Sequence, residues 1–333
     1  MKDLKSPWHN GELALQRRLG VDERMARVGP MVIRPFMPDQ HRLFFEQLPF
    51  VVAATVDDAG EIWASLWSGP AGFARSPDPR HLDLDVTLES SDPTRHGAKD
   101  GAAVGLLGIE LETRRRNRMN GHILSQNGGL RVEVQHSFGN CPKYITRRAL
   151  EPVTPTSPVE VHTHAGLPQQ ARDHIASADT FYVASYVDRP AQEGGRQIDI
   201  SHRGGRPGFV HVADDGTLTI PDFLGNKFFN TLGNFMLNPR AALVFTDFST
   251  GTLIHLTGRA EVLLEDPRTQ AFKGAERLWR FKPTQTIVRH GAFCVRAKLL
   301  DPSPNNARTG TWAEAASQTA EQDNTERMKP PAA

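Results

Sequence analysis

Cysteine, net charge and long apolar runs are all scarce in this sequence, and each shortage removes a class of protein. Its 333 residues include two cysteines, Cys141 and Cys294, far apart and in no paired spacing. That argues against a disulfide framework and predicts a reducing, cytoplasmic setting. The formal net charge is only +1, so nothing pulls the whole chain toward nucleic acid or an anionic membrane, and neither is expected as a partner. No window approaches the length of a membrane span. The first residues lead into no apolar run, so no signal peptide is read there. His162-Thr163-His164 stands without a carboxylate or cysteine cluster, so no metal is expected.

Turn formers are what the sequence does have. Its 28 glycines and 24 prolines punctuate short alternating runs, which predicts a mainly β protein with short helices. The length suits one large or two medium domains. Residues 8–30 read as amphipathic helix, and residues 38–48 as a second helix with Asp39 near its start. Strands are expected at 50–56, 61–68, 81–88, 102–112, 122–126 and 130–137, with a loop over 69–80. Pro152, Pro155 and Pro158 mark an extended linker over 151–166. The pattern then restarts with a helix at 167–178 and strands at 181–187 and 196–202. A hairpin over 209–220, a helix over 226–237 and a hairpin over 241–264 follow. Residues 267–280 read as helical and 286–300 as a last strand. The segment 302–333 reads as a polar, mobile tail, with Trp312 as a lone aromatic able to dock.

The two halves share an order of elements. Residues 102–107 are echoed by 241–245, and Asn120-Gly121 by Thr257-Gly258. This predicts a tandem duplication of a small antiparallel barrel, residues 1–150 forming one copy with a helical extension and 167–301 the other.

The chemistry concentrates in the second half. A strand over Asp199, Ile200, Ser201, His202 and Arg203 breaks into Gly204-Gly205. A helix start at Asn226-Lys227, with Asn230 one turn on, is expected to face it. Hydroxyl, imidazole and guanidinium opposite a helix N-terminus with a lysine make an anion site, and phosphate is the usual anion. Arg114, Arg116 and Arg118 share one face of a strand; a solvated basic edge is the plain alternative reading.

Residues 201–210, 224–227 and 238–245 resemble the pyridoxamine phosphate oxidase-like FMN-binding split barrels, and residues 9–16 and 37–41 resemble the long, two-barrel branch of that family. The resemblance implies tandem split β-barrels and FMN as cofactor. It implies FMN contacts from Asp199, Ser201, His202, Arg203, Asp222, Asn226, Lys227 and Asn230, with Arg116 and Arg118 reaching across a seam from the first half. That seam is formed within one chain, by the duplication, or between the chains of a homodimer. Asn226 stands where the family has a basic residue, and the helix before Asn238-Pro239 is longer than in the oxidase, which disfavours pyridoxamine phosphate as substrate. The implied activity is an FMN-dependent oxidoreductase acting on a small molecule, with NAD(P)H or a separate reductase as electron donor. A haem-binding or haem-degrading split barrel, which needs an axial histidine in the seam, and a non-catalytic flavin carrier or sensor are the alternatives. No residue is singled out as catalytic.

Overall fold

The computed structural model describes residues 6–126, 128–154 and 157–318. Where one helix is expected over 8–30, two form, α1 (Asn10–Arg18) and α2 (Asp22–Val32), because Gly20 takes φ +62° between them and ends the first. The helix α3 (Asp39–Glu46) follows. Seven strands then make one antiparallel sheet: β1 (Phe50–Val56), β2 (Ile62–Ser68), β3 (Ala74–Asp78), β4 (His81–Leu84), β5 (Ala103–Glu110), β6 (Arg115–Gln126) and β7 (Gly129–Gly139). Their spatial order is β2-β1-β5-β6-β7-β4-β3. The strand β3 lies within the expected loop over 69–80.

After β8 (Arg147–Pro152), β9 (Glu160–Ala165) and α4 (Gln169–Ser177), the pattern repeats. It comprises β10 (Thr180–Asp188), β11 (Arg196–Gly204), β12 (His211–Val212), β13 (Leu218–Phe223), α5 (Asn230–Leu237), β14 (Arg240–Asp247), β15 (Thr252–Leu263) and β16 (Ala275–His290), before β17 (Val295–Asp301). The second sheet runs β11-β10-β14-β15-β16-β13-β12, strand for strand the order of the first. The register agrees too. The ladder of β6 on β7 shifts between Asn120 and Gly121, and that of β15 on β16 between Thr257 and Gly258. The structure is therefore mainly β, two antiparallel barrels of one topology.

Every residue of β1 is buried, because one face of the strand fills its own barrel and the other meets the second barrel. Phe45, Leu106 and Met119 lie inside the first barrel, and Phe181, Leu243 and Trp279 inside the second. A third apolar cluster joins Ala54, Ala64 and Leu107 of the first to Ile200, Val244 and Leu253 of the second. This seam explains why β1 and β10 read as continuous apolar runs, as strands buried on both faces do.

Three expectations are corrected. The segment 151–166 is more than a linker: β8 pairs with β17 and β9 with β16. Pro152 is the last residue of β8, where no ladder N–H is lost. Residues 267–280 form only a helical turn at Arg268–Ala271; Trp279, Arg280, Phe281 and Lys282 alternate buried and exposed as part of the 16-residue β16. Residues 302–318, expected to be mobile, fold back onto the second barrel. Trp312 donates from its indole to the Phe209 carbonyl (3.0 Å) and its ring meets Phe272 at 5.1 Å. The amide of Asn306 donates to the Gly205 carbonyl (3.1 Å). A few apolar and hydrogen-bonding anchors thus order a segment of polar composition. The rest of the expected tail lies outside the described residues. No helix among the described residues is long and apolar enough to cross a membrane.

Candidate functional site

Strand alternation gives β11 two chemical faces. Asp199 and Ser201 face α5, where both lie within hydrogen-bonding reach of the Thr231 hydroxyl (3.3 and 3.1 Å). Ile198 and Ile200 join the seam cluster, and His202 meets Tyr182 there, ring to ring at 5.8 Å. The loop after β7 crosses the end of β11 so closely that a Cβ on Gly204 would lie 2.1 Å from the Tyr144 carbonyl oxygen. First-barrel and second-barrel residues thereby line one cleft, open to solvent.

Of the residues singled out in the sequence, Arg116, Arg118, Ser201, His202, Arg203, Asp222, Asn226, Lys227 and Asn230 all line this cleft. Asp199 sits behind it, ion-paired to Arg118 at 2.6 Å. Arg114 points elsewhere and bonds the Ile145 carbonyl (2.8 Å). Sequence reasoning missed Lys143, Tyr144, Glu276 and Arg277, which also line the cleft. The last two lie at the start of β16, and reading its alternation as a strand would have brought them in.

One placement differs from expectation. The helix α5 starts at Asn230, so Asn226 and Lys227 precede it in a loop. Lys227 and Phe229 take φ +67° and +64°, which a right-handed helix does not accept. Asn226 accepts from the Phe228 amide (3.1 Å) to close that turn. Tyr144, at φ +67°, is a third non-glycine left-handed residue on the cleft wall. Each conformation costs of order 1 kcal/mol or more, and such strain gathers at sites that hold ligands.

The electrostatics are one-sided. Arg116, Arg118, Lys143, Arg203, Lys227 and Arg277 line the cleft against two carboxylates, Asp222 and Glu276. Asp222 bridges Arg203 (2.8 Å) and Arg277, and Glu276 bridges Lys227 and Arg277 (3.1 Å). Arg118 donates to the Ile200 carbonyl (3.1 Å), to Asn230 Oδ1 (2.9 Å) and to the Ser201 hydroxyl. Arg116 has no carboxylate partner among the described residues; it donates to the carbonyls of Cys141 (2.7 Å) and His202 (3.3 Å). Burial, with Arg118 and Arg203 nearby, pushes its guanidinium down to about 9. Burial, reinforced by Arg116, Arg148 and Arg203, holds His202 well below the usual imidazole range. Both its ring nitrogens and Arg203 Nε are buried without a hydrogen-bond partner. A phosphate fits this donor set: it can accept from guanidinium, ammonium and amide together, and it offsets the surplus charge.

The shared topology gives a second, equivalent place, and different residues occupy it. Three residues before the two ladder shifts stand Arg118 and His255. Arg118 donates to the Ile200 carbonyl, and His255 Nδ1 lies 2.8 Å from the carbonyl of Ala64, on the same rung of the other hairpin. Five residues before the shifts stand Arg116 and the fully buried Leu253. Where the open cleft would recur, Arg289 pairs with Asp92 (3.0 Å), which also accepts from Ser65 (2.6 Å).

No protein-family model matches the chain, and no curated protein matches it. Solved structures do. The FAD binding protein from Mycobacterium smegmatis matches at 16% identity over 39% of this chain and 98% of its own, with a TM-score of 0.25. A Lactobacillus delbrueckii protein provisionally assigned as a pyridoxamine 5′-phosphate oxidase matches at 15% identity over 32% and 99%, with a TM-score of 0.26. HupZ of Group A Streptococcus matches at 12% identity over 31% and 93%, with a TM-score of 0.25. Similarity at this level carries no functional argument.

Proposed function

We propose that the seam cleft holds FMN by its phosphate, and that the chain is an FMN-dependent oxidoreductase acting on a small molecule, with NAD(P)H or a separate reductase supplying electrons. The observation that carries this reading is the set of six cationic side chains against two carboxylates in one cleft lined by both barrels. Arg203, Asn226 and Lys227 would hold the phosphate. Ser201, Asn230 and Arg118 would lie alongside the rest of the molecule, and Arg116 would place positive charge beside it. A bound flavin supplies hydride or electron transfer at its ring, and the protein supplies anchorage, charge and enclosure.

The test is uptake of FMN and of riboflavin by the purified chain, followed by visible absorbance and titration. FMN is expected to bind the more tightly. Lys227→Ala is expected to weaken FMN about tenfold, as loss of one charge-assisted bond of about 1.5–3 kcal/mol implies, while leaving riboflavin unchanged. Equal affinity for the two flavins would remove the phosphate assignment.

One observation favours a second reading, haem in the same seam. His202 lines the cleft with both ring nitrogens unpartnered, the kind of residue an axial ligand requires. A Soret band on addition of haem, lost in His202→Ala, would support that reading.

A further inference from the structure

We propose that the N-terminal helix α1 is a working part of the cleft: Glu12 positions Arg118 through Asn230, and the charge on Glu12 sets how strongly the cleft holds an anion. The inference rests on the flavin reading for the ligand's identity, though not for the contacts themselves.

The contacts form an unbroken chain. Glu12 Oε1 accepts from Asn230 Nδ2 (2.6 Å), and Asn230 Oδ1 accepts from Arg118 (2.9 Å). That fixes the orientation of the Asn230 amide, since its nitrogen must face Glu12 and its oxygen Arg118. Glu12 Oε2 accepts from the His9 amide (3.0 Å), closing a capping box at the start of α1. The His9 ring accepts at Nδ1 from the Gly11 amide (3.1 Å), so Nε2 carries the proton given to Asn234 Oδ1 (2.8 Å). The helices α1 and α5 can touch this closely only because glycines meet: a Cβ on Gly11 would lie 2.0 Å from the Gly233 carbonyl oxygen.

The carboxyl of Glu12 is almost wholly enclosed, its side chain 4% exposed. The titratable and charged groups around it are His9 on its own segment, Arg118 on β6, His136 on β7, Arg189 after β10 and Asp199 on β11. Desolvation, with Asp199 adding to it, pushes Glu12 up to about 8 against its hydrogen bonds and Arg189. Burial holds both His9 and His136 down at about 4, so they stay neutral near pH 7. Ionised Glu12 would add a second carboxylate to the Asp199–Arg118 pair and offset the charge Arg118 presents to the cleft.

The test measures FMN affinity from pH 7 to pH 9 for the full chain and for Glu12→Gln, which keeps the shape without the charge. In ligand-free protein it also follows the Arg118 Nε resonance against the Glu12 carboxyl carbon. Wild-type affinity is expected to fall about tenfold across the range, the fall to be largely absent in Glu12→Gln, and the Arg118 resonance to move with the Glu12 midpoint. Parallel affinity profiles, or an Arg118 resonance indifferent to Glu12, overturn the proposal. If neither protein binds FMN at any pH, the flavin reading fails and the Arg118 resonance alone decides the brace.

Discussion

Arg116 and Leu253 occupy equivalent positions in two barrels of one topology, and they divide the molecule's chemistry. Leu253 completes the apolar seam, whereas Arg116 carries uncompensated charge into the open cleft. Arg116→Ala should therefore leave most phosphate-derived affinity intact while making bound flavin harder to reduce. A tenfold preferential loss for the reduced form lowers a two-electron potential by about 30 mV. A redox titration giving the same midpoint for both proteins would exclude that role. Glu12 makes a separate prediction about stability. Its pKa in the folded state, about 8, lies above the ordinary 4.5, so between those values the folded chain keeps a proton that the unfolded chain has lost. Stability from this group is full below pH 4.5 and falls by up to about 1.4 kcal/mol per unit as pH rises toward 8. Glu12→Gln lacks this loss, so in urea denaturation its advantage over wild type should grow from pH 5 to pH 8; a constant difference would contradict it.

At the scale of elements, legibility followed periodicity. The strands β1, β10 and β14 and the echo of Asn120-Gly121 in Thr257-Gly258 were readable because apolar runs and turn residues are local signals, whereas the register shifts at those glycines were not. The helix α5 was placed too early because Phe228 and Phe229 extend its apolar stripe and Asn226 continues the line of Asn230 and Asn234, whereas the left-handed φ of Lys227 and Phe229 is set by the tertiary structure. Glu12 was seen only as a polar residue on an amphipathic helix; its role depends on Asn230, 218 residues away. Arg277 was lost with the misread start of β16. The C-terminal segment was misjudged because composition does not report a few well-placed anchors. Trp312→Ala should cost about 2 kcal/mol, below the range for a fully buried tryptophan because this one is half-buried, and should expose residues 305–318 to limited proteolysis. Unchanged stability and cleavage would mean the segment is held by other contacts.

At the scale of the molecule, two barrels of one topology in one chain allow both to line the same cleft. In the open seam Arg116 and Arg118 of the first barrel meet β11 and α5 of the second; in its counterpart Arg289 pairs with Asp92 and the apolar Leu253 stands where Arg116 does. The account therefore predicts a single flavin site per chain that needs both barrels. The most direct measurement is a calorimetric titration of FMN into wild type, Lys227→Ala and Arg118→Ala, with the mass of the complex determined in parallel. One FMN per chain in a monomer, weakened by a substitution in either barrel, is the predicted result. Two FMN per chain, one FMN per two chains, or affinity indifferent to Arg118 in the first barrel would contradict it.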